Sequence, residues 1–211
     1  LLNGKIDRRR SLGKIENLKK LLKKSPIKGN VGIGHTRWAT HGIPSRTNAH
    51  PHSSGDVAVV HNGIIENYDV LRKDLERKNI IFESDTDTEV IAHLISFFLK
   101  KNLSPLKATV TALKKVEGAF ALGIIFSGIN NYLICAKRGS PLAIGKGKNC
   151  NYIGSDSIAL APLTQKLCYL NEGDIAEITS EDFKVYDQSG KRVKRKITIT
   201  SLANNKIKMG G

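Results

Sequence analysis

Arg37, Asp87, Asn62 and Gly63 carry groups that could grip and polarise a free amino acid. Arg37 presents a planar guanidinium fork, which takes a carboxylate at two points. Asp87 stands near a helix start and could pair with an ammonium group. Together the two could hold both ends of a zwitterion. Asn62-Gly63, at the end of an apolar run, offers a side-chain amide and a backbone N–H that a ligand can approach because glycine lacks a Cβ. Those are the parts of an oxyanion hole. Each residue also has a plainer use. Arg37 could be a surface ion-pair partner, Asn62-Gly63 a turn and Asp87 a helix cap. Trp38 could be core packing, and Thr40 and His41 could be turn formers. Spacing alone leaves these alternatives open.

The histidines offer a second chemistry. His35, His41, His50, His52 and His61 crowd into one stretch, and His50-x-His52 could chelate. No HExxH and no neighbouring acidic ligand set completes a metal site, so no metal and no cofactor is expected.

These residues need elements to position them. Ile15, Leu18, Leu21 and Leu22 among lysines predict an amphipathic helix over 14–24, ended by Pro26 and Gly29. Residues 31–35 read as a short buried strand, and 36–56 as a long functional loop. A strand over 57–60 runs into His61-Asn62-Gly63. Asn67 is placed to cap the helix that carries Val70, Leu71 and Leu75. Residues 80–82 read as a strand. Ser84 to Glu89 supply caps and early acids for a helix with the stripe Val90, Ile91, Leu94, Phe97 and Phe98. Another helix follows over about 105–115. From Ala119 the period changes to strands. A hairpin turn falls at 128–131, and short strands follow at 142–144, 152–153, 168–170, 176–178 and 184–186. Helices followed by many short strands give an α+β class rather than a doubly wound sheet.

Composition narrows the classes further. The formal charge of +15 could mark a nucleic-acid or membrane partner. The basic residues are scattered, however, without the aromatic interleaving of a single-strand binder, so a lysine-rich solvated surface is the reading adopted. Neither nucleic acid nor membrane is expected as a partner, and no apolar run reaches transmembrane length. Cys135, Cys150 and Cys168 are widely spaced and odd in number. That argues against a disulfide framework and for a reducing, cytoplasmic compartment.

Longer strings select among the alternatives. HTRWATHG from His35, NAHPH from Asn48, HNGIIEN from His61 and SDTDTEV from Ser84 resemble the glutaminase domain of the glucosamine-6-phosphate synthase family, the glutamine:fructose-6-phosphate aminotransferases. The likeness continues through Arg138-Gly139-Ser140-Pro141-Leu142, Gly154-Ser155-Asp156 and Glu172-Gly173-Asp174-Ile175-Ala176. It covers the chain from about Leu12 to Lys196. The resemblance implies a four-layer αββα N-terminal-nucleophile hydrolase sandwich, incomplete at its first strand and helix. It implies a type 2 glutamine amidotransferase domain over 1–197 and a linker over 198–211 towards a sugar-isomerase domain.

By the same resemblance, Arg37 would bind the glutamine α-carboxylate and Asp87 its α-ammonium. Thr40 and His41 would help line the amino-acid pocket, Trp38 would sit at the mouth of the ammonia path, and Asn62 with the Gly63 N–H would stabilise the oxyanion. The family nucleophile is an N-terminal cysteine whose own amine acts as base. Position 1 here is Leu, so the chain is expected to be a piece of a longer protein, inactive and marginally stable alone. Its parent would be a glutamine-dependent aminotransferase, with glutamine and fructose 6-phosphate as substrates, and a homodimer. The alternatives are a sibling amidotransferase with another acceptor, a paralogue without the cysteine, and a non-catalytic basic binding module.

Overall fold

The computed structural model describes residues 1, 4–37 and 41–200. Two antiparallel sheets lie face to face. The larger holds β1 (His52–Ser54), β2 (Val57–Ile65), β3 (Gly118–Phe126), β4 (Leu133–Arg138), β8 (Ile175–Ile178), β9 (Phe183–Tyr186) and β10 (Arg192–Val193), neighbours in that order. The smaller runs β11 (Ile197–Ile199), β7 (Lys166–Tyr169), β5 (Ala143–Lys146) and β6 (Asn151–Gly154).

Side chains alternate between the two faces of a strand, and that alternation sets the layers. Val57, Val59 and Ile65 of β2, with Phe120, Leu122, Ile124 and Phe126 of β3, face a helical layer. That layer is α2 (Tyr68–Glu76), α3 (Glu89–Leu99) and α4 (Pro105–Leu113). Burying each such large side chain contributes about 1.5–3 kcal/mol. The opposite face carries smaller residues, Ala58, Ala121, Cys135 and Ala176, which meet Ile144 and Cys168 of the second sheet. Gly123 belongs to this face, and a Cβ there would press on Ile153 and Val60. Small residues therefore set how closely the sheets approach. Against the second sheet, α5 (Ser157–Leu160) buries Leu160 with Ala143 and Leu167.

Several expectations change. Residues 31–35 and 80–82 pair with no strand among the described residues. A strand needs a neighbour for its N–H and C=O groups, and apolar content does not supply one. The loop over 36–56 contains β1, which pairs with β2 from His52↔Val59 to Ser54↔Val57. The second sheet includes β11, so regular pairing continues through Ile199, past the boundary read at 197. Residues 201–211 of the expected linker lie outside the described residues.

The caps differ too. Asn67 precedes α2 but makes no side-chain cap. Its amide donates to Lys115 O, and its Oδ1 accepts from the Glu117 N–H. At α3 the expected caps are replaced by Glu89, which reaches back to the N–H groups of Glu83 and Ser84. The amphipathic helix is present as α1 (Ile15–Lys24), with no residue fully buried.

Candidate active site

A cavity of about 500 Å³ opens at the end of β2, lined by Arg37, His41, Asn62, Gly63 and Asp87 together with His35, His50, His61, Thr88 and others. Its volume lies in the usual range for small-molecule pockets. Among the described residues, separate segments supply the polar groups: His35 to His50, the β2 end, the turn before α3, and Ser155. A larger groove of about 770 Å³ runs beside residues 30–34 and β6. Among the described residues no Asp, Glu, Lys, Arg or His lines it, so none of them there would orient a zwitterion. The chemistry therefore belongs in the smaller cavity.

Arg37 is half-buried. Its guanidinium donates to the carbonyl oxygens of His41, of Gly42 at 2.8 Å and of Ile43 at 3.3 Å. The fork is thus aimed by the loop it precedes, and further N–H donors remain on it. The His41 ring stands edge-on to Tyr68, 5.0 Å between centroids. Trp38 and Thr40 lie outside the described residues.

Asp87 is almost fully buried. One carboxylate oxygen, Oδ2, accepts the Ile65 N–H at 2.8 Å, which ties the acid to β2. The other, Oδ1, lies 3.4 Å from the Thr88 hydroxyl. Glu89, two residues on, fixes the segment that precedes Asp87 by accepting the Glu83 and Ser84 N–H groups. Glu89 also takes bonds from the Ser84 hydroxyl and His93. Burial raises its carboxyl, but these bonds outweigh that and hold it at about 2.

Gly63 has φ +138°, which side chains rarely adopt, and a Cβ there would run into the Ala119 carbonyl. On β3, Gly118, the register partner of Ile65, has φ +103°, and a Cβ there would meet the Ile64 carbonyl. The pair of glycines lets β2 and β3 draw together where the chain turns into the cavity. Asn62 is exposed at that point.

The histidines form a buried neighbourhood. The His35 and His50 rings are 4.3 Å apart and those of His50 and His52 5.0 Å. Burial pushes His50 down to about 2 and His52 to about 4, so both are neutral at physiological pH. Among the described residues, no group of three or more His, Cys, Asp or Glu is placed to hold a metal ion. No cysteine lines the cavity. Cys135 and Cys168 are buried between the sheets, and Cys150 sits beside the Tyr152 hydroxyl.

His61, Thr88, Asn48 and Glu89 organise this site, and motif spacing assigns none of them that role. For His61 a signal existed. It shares the parity of Val57 and Val59, so a polar ring points into the helical side of β2.

Residues 35–162 match the model of the glutamine amidotransferase domain family. The relatives include two glutamine–fructose-6-phosphate aminotransferases (isomerizing). That of Zymomonas mobilis is 49% identical over 99% of this chain and 34% of that protein. That of Mesorhizobium japonicum is 51% identical over 92% of this chain and 32% of that protein. The chain thus spans about a third of the length of these relatives. Among solved structures, a glutamine phosphoribosylpyrophosphate amidotransferase from B. subtilis, complexed with ADP and GMP, matches with TM-score 0.60 and 27% identity, over 73% of this chain and 34% of that one. An allosteric regulatory enzyme of purine biosynthesis matches with TM-score 0.57 and 26% identity, over 68% and 32%. The paired antiparallel sheets are those of the N-terminal-nucleophile hydrolase sandwich. From its matched sequence and its fold, the chain belongs to the glutamine amidotransferase family.

Proposed function

We propose that the chain is the glutamine-binding half of an enzyme that takes ammonia from glutamine and delivers it to fructose 6-phosphate. Its relatives carry the name glutamine–fructose-6-phosphate aminotransferase (isomerizing). The observation that carries the reading is the meeting of Arg37, Asp87, Asn62 and Gly63 around one cavity. In this reading Arg37 takes the α-carboxylate and Asp87 the α-ammonium. Asn62 and the Gly63 N–H face the oxyanion that forms when a thiolate attacks the side-chain amide. Ammonia leaves, and water then releases glutamate from the thioester. In the same reading Thr40 and His41 would serve the amino-acid pocket and Trp38 the ammonia path.

None of the chain's three thiols is placed to attack a ligand in this cavity. Residues 1–211 alone are therefore expected to bind glutamine without hydrolysing it. The domain extends through β11, and the residues after it lead towards a sugar-isomerase domain, in a cytoplasmic homodimer.

Calorimetric titration of the chain with L-glutamine tests this reading. Saturable binding is expected, weakened about tenfold or more by Arg37→Ala or Asp87→Ala. Equal affinity in both variants and the parent would sink it.

A further inference from the structure

One hydroxyl hydrogen in the cavity wall has two acceptors within reach. Thr88 Oγ1 lies 3.0 Å from His61 Nδ1 and 3.4 Å from Asp87 Oδ1. His61 decides between them. Its side chain is 1% exposed, and its other nitrogen, Nε2, lies 3.3 Å from the Ala119 carbonyl oxygen. A carbonyl only accepts, so the hydrogen bond there requires hydrogen on Nε2. A neutral ring then carries a bare lone pair at Nδ1, and that lone pair takes the Thr88 hydrogen.

This inference rests on the reading of the cavity as a glutamine site. We infer that His61 is a positioning residue: by capturing the Thr88 hydroxyl at Nδ1, it leaves Asp87 Oδ1 open to the α-ammonium of the amino acid. Asp87 Oδ2 is already engaged by the Ile65 N–H, so Oδ1 is the oxygen with capacity to spare. The same ring is fixed to β3 by its Nε2 bond, beside Asn62 and Gly63 of β2.

The arrangement works with a neutral ring only. A second proton would make Nδ1 a donor to Thr88 and release the hydroxyl hydrogen towards Asp87. It would also place a cation 3.9 Å from the Asp87 carboxylate, competing with the ligand ammonium. Burial disfavours that proton. Asp87, close by, favours it, and His41 opposes it. His35 and His50 also face His61 and are themselves held down by burial. The net direction is down from 6.5, so the ring stays neutral at neutral pH and gains its proton only in acid.

The test uses the 211-residue chain, two ligands and two variants. The ligands are L-glutamine and glutaramate, which is glutamine without its α-ammonium. His61→Asn keeps an acceptor near the Nδ1 position but cannot take a proton, whereas His61→Leu offers no acceptor. His61→Leu is expected to weaken glutamine binding about tenfold or more while leaving glutaramate binding unchanged. His61→Asn is expected to stay within about threefold of the parent at pH 7.5. It should also lose part of the acid-side weakening expected of the parent, whose His61 gains its proton only below 6.5. An equal loss for both ligands would make His61 a merely structural residue and overturn the inference.

Nitrogen-15 spectra of the histidine rings read the tautomer without any ligand. A protonated Nε2 and a bare Nδ1 at His61 support the inference. Hydrogen on Nδ1 in the neutral ring would overturn it and leave the glutamine reading standing. Absence of glutamine binding to the unmutated chain would overturn that reading and, with it, this inference.

Discussion

Asn48 and Asp85 hold each other at two points: the Asp85 N–H donates to Asn48 Oδ1 at 3.0 Å, and Asn48 Nδ2 donates to Asp85 Oδ2 at 3.1 Å. Asn48 Nδ2 also donates to the carbonyl of Ile43, which is one of the acceptors of the Arg37 guanidinium. A single buried amide therefore joins the loop that aims Arg37 to the turn that carries Asp87. Asn48→Ala leaves buried polar groups without partners and is expected to cost about 1–3 kcal/mol. Urea unfolding measures that cost. Titration should show weaker glutamine binding as well, because both ends of the zwitterion site lose their common support.

Gly63→Ala should be among the most damaging small changes in the chain. The new methyl would meet the Ala119 carbonyl, a backbone group within the β2–β3 ladder that no rotamer change can move aside. The φ of +138° adds strain for any residue with a Cβ. A loss of about 3 kcal/mol or more is expected in thermal or urea unfolding. Stability equal to the parent would show that the ladder end yields easily.

Asn62→Ala should behave in the opposite way. Asn62 is exposed, so stability should change by less than about 0.5 kcal/mol. In a longer protein that contains this domain and hydrolyses glutamine, kcat is expected to fall about 10²-fold with little change in KM, the pattern of a lost oxyanion donor. A rise in KM at constant kcat would place Asn62 in ground-state binding.

Acid should weaken the fold in two stages. His52 is lowered from 6.5 to about 4, first by its burial. Below pH 6.5 the unfolded chain binds a proton that the folded ring refuses, so stability present above 6.5 is lost as the pH falls towards 4. His50, lowered to about 2, acts in the same direction over a wider range. Each contributes a slope of about 1.4 kcal/mol per pH unit within its window. Glu89 joins below its ordinary 4.5. Its stabilisation is complete above that value and disappears as the pH falls to about 2. Urea midpoints measured from pH 8 to pH 4 should fall with a slope that begins near 6.5. His52→Gln should flatten the first stage.

Local pattern carried a good part of the fold. The apolar stripe from Val90 to Phe98 specifies α3, and the turn at 128–131 joins β3 to β4 as its glycine and asparagines suggest. Both signals arise within one element or one hairpin, where the residues that interact are close in sequence. Pattern misled where pairing depends on a distant partner. Residues 31–35 have the apolar content of a strand and no strand partner among the described residues, whereas His52–Ser54 looks like loop and becomes an edge strand on β2.

The candidate site divides along the same line. Residue type and motif were enough to single out Arg37, Asn62, Gly63 and Asp87, because a guanidinium, an amide, a bare backbone and a carboxylate are chemical identities written in the chain itself. Their convergence on one cavity was decided by folding, as were the contacts that organise it. His61 reaches Thr88 across 27 positions and Asn48 reaches Asp85 across 37. Hydrogen bonds act over about 3 Å, and only packing of the helices on the larger sheet brings such distant groups that close.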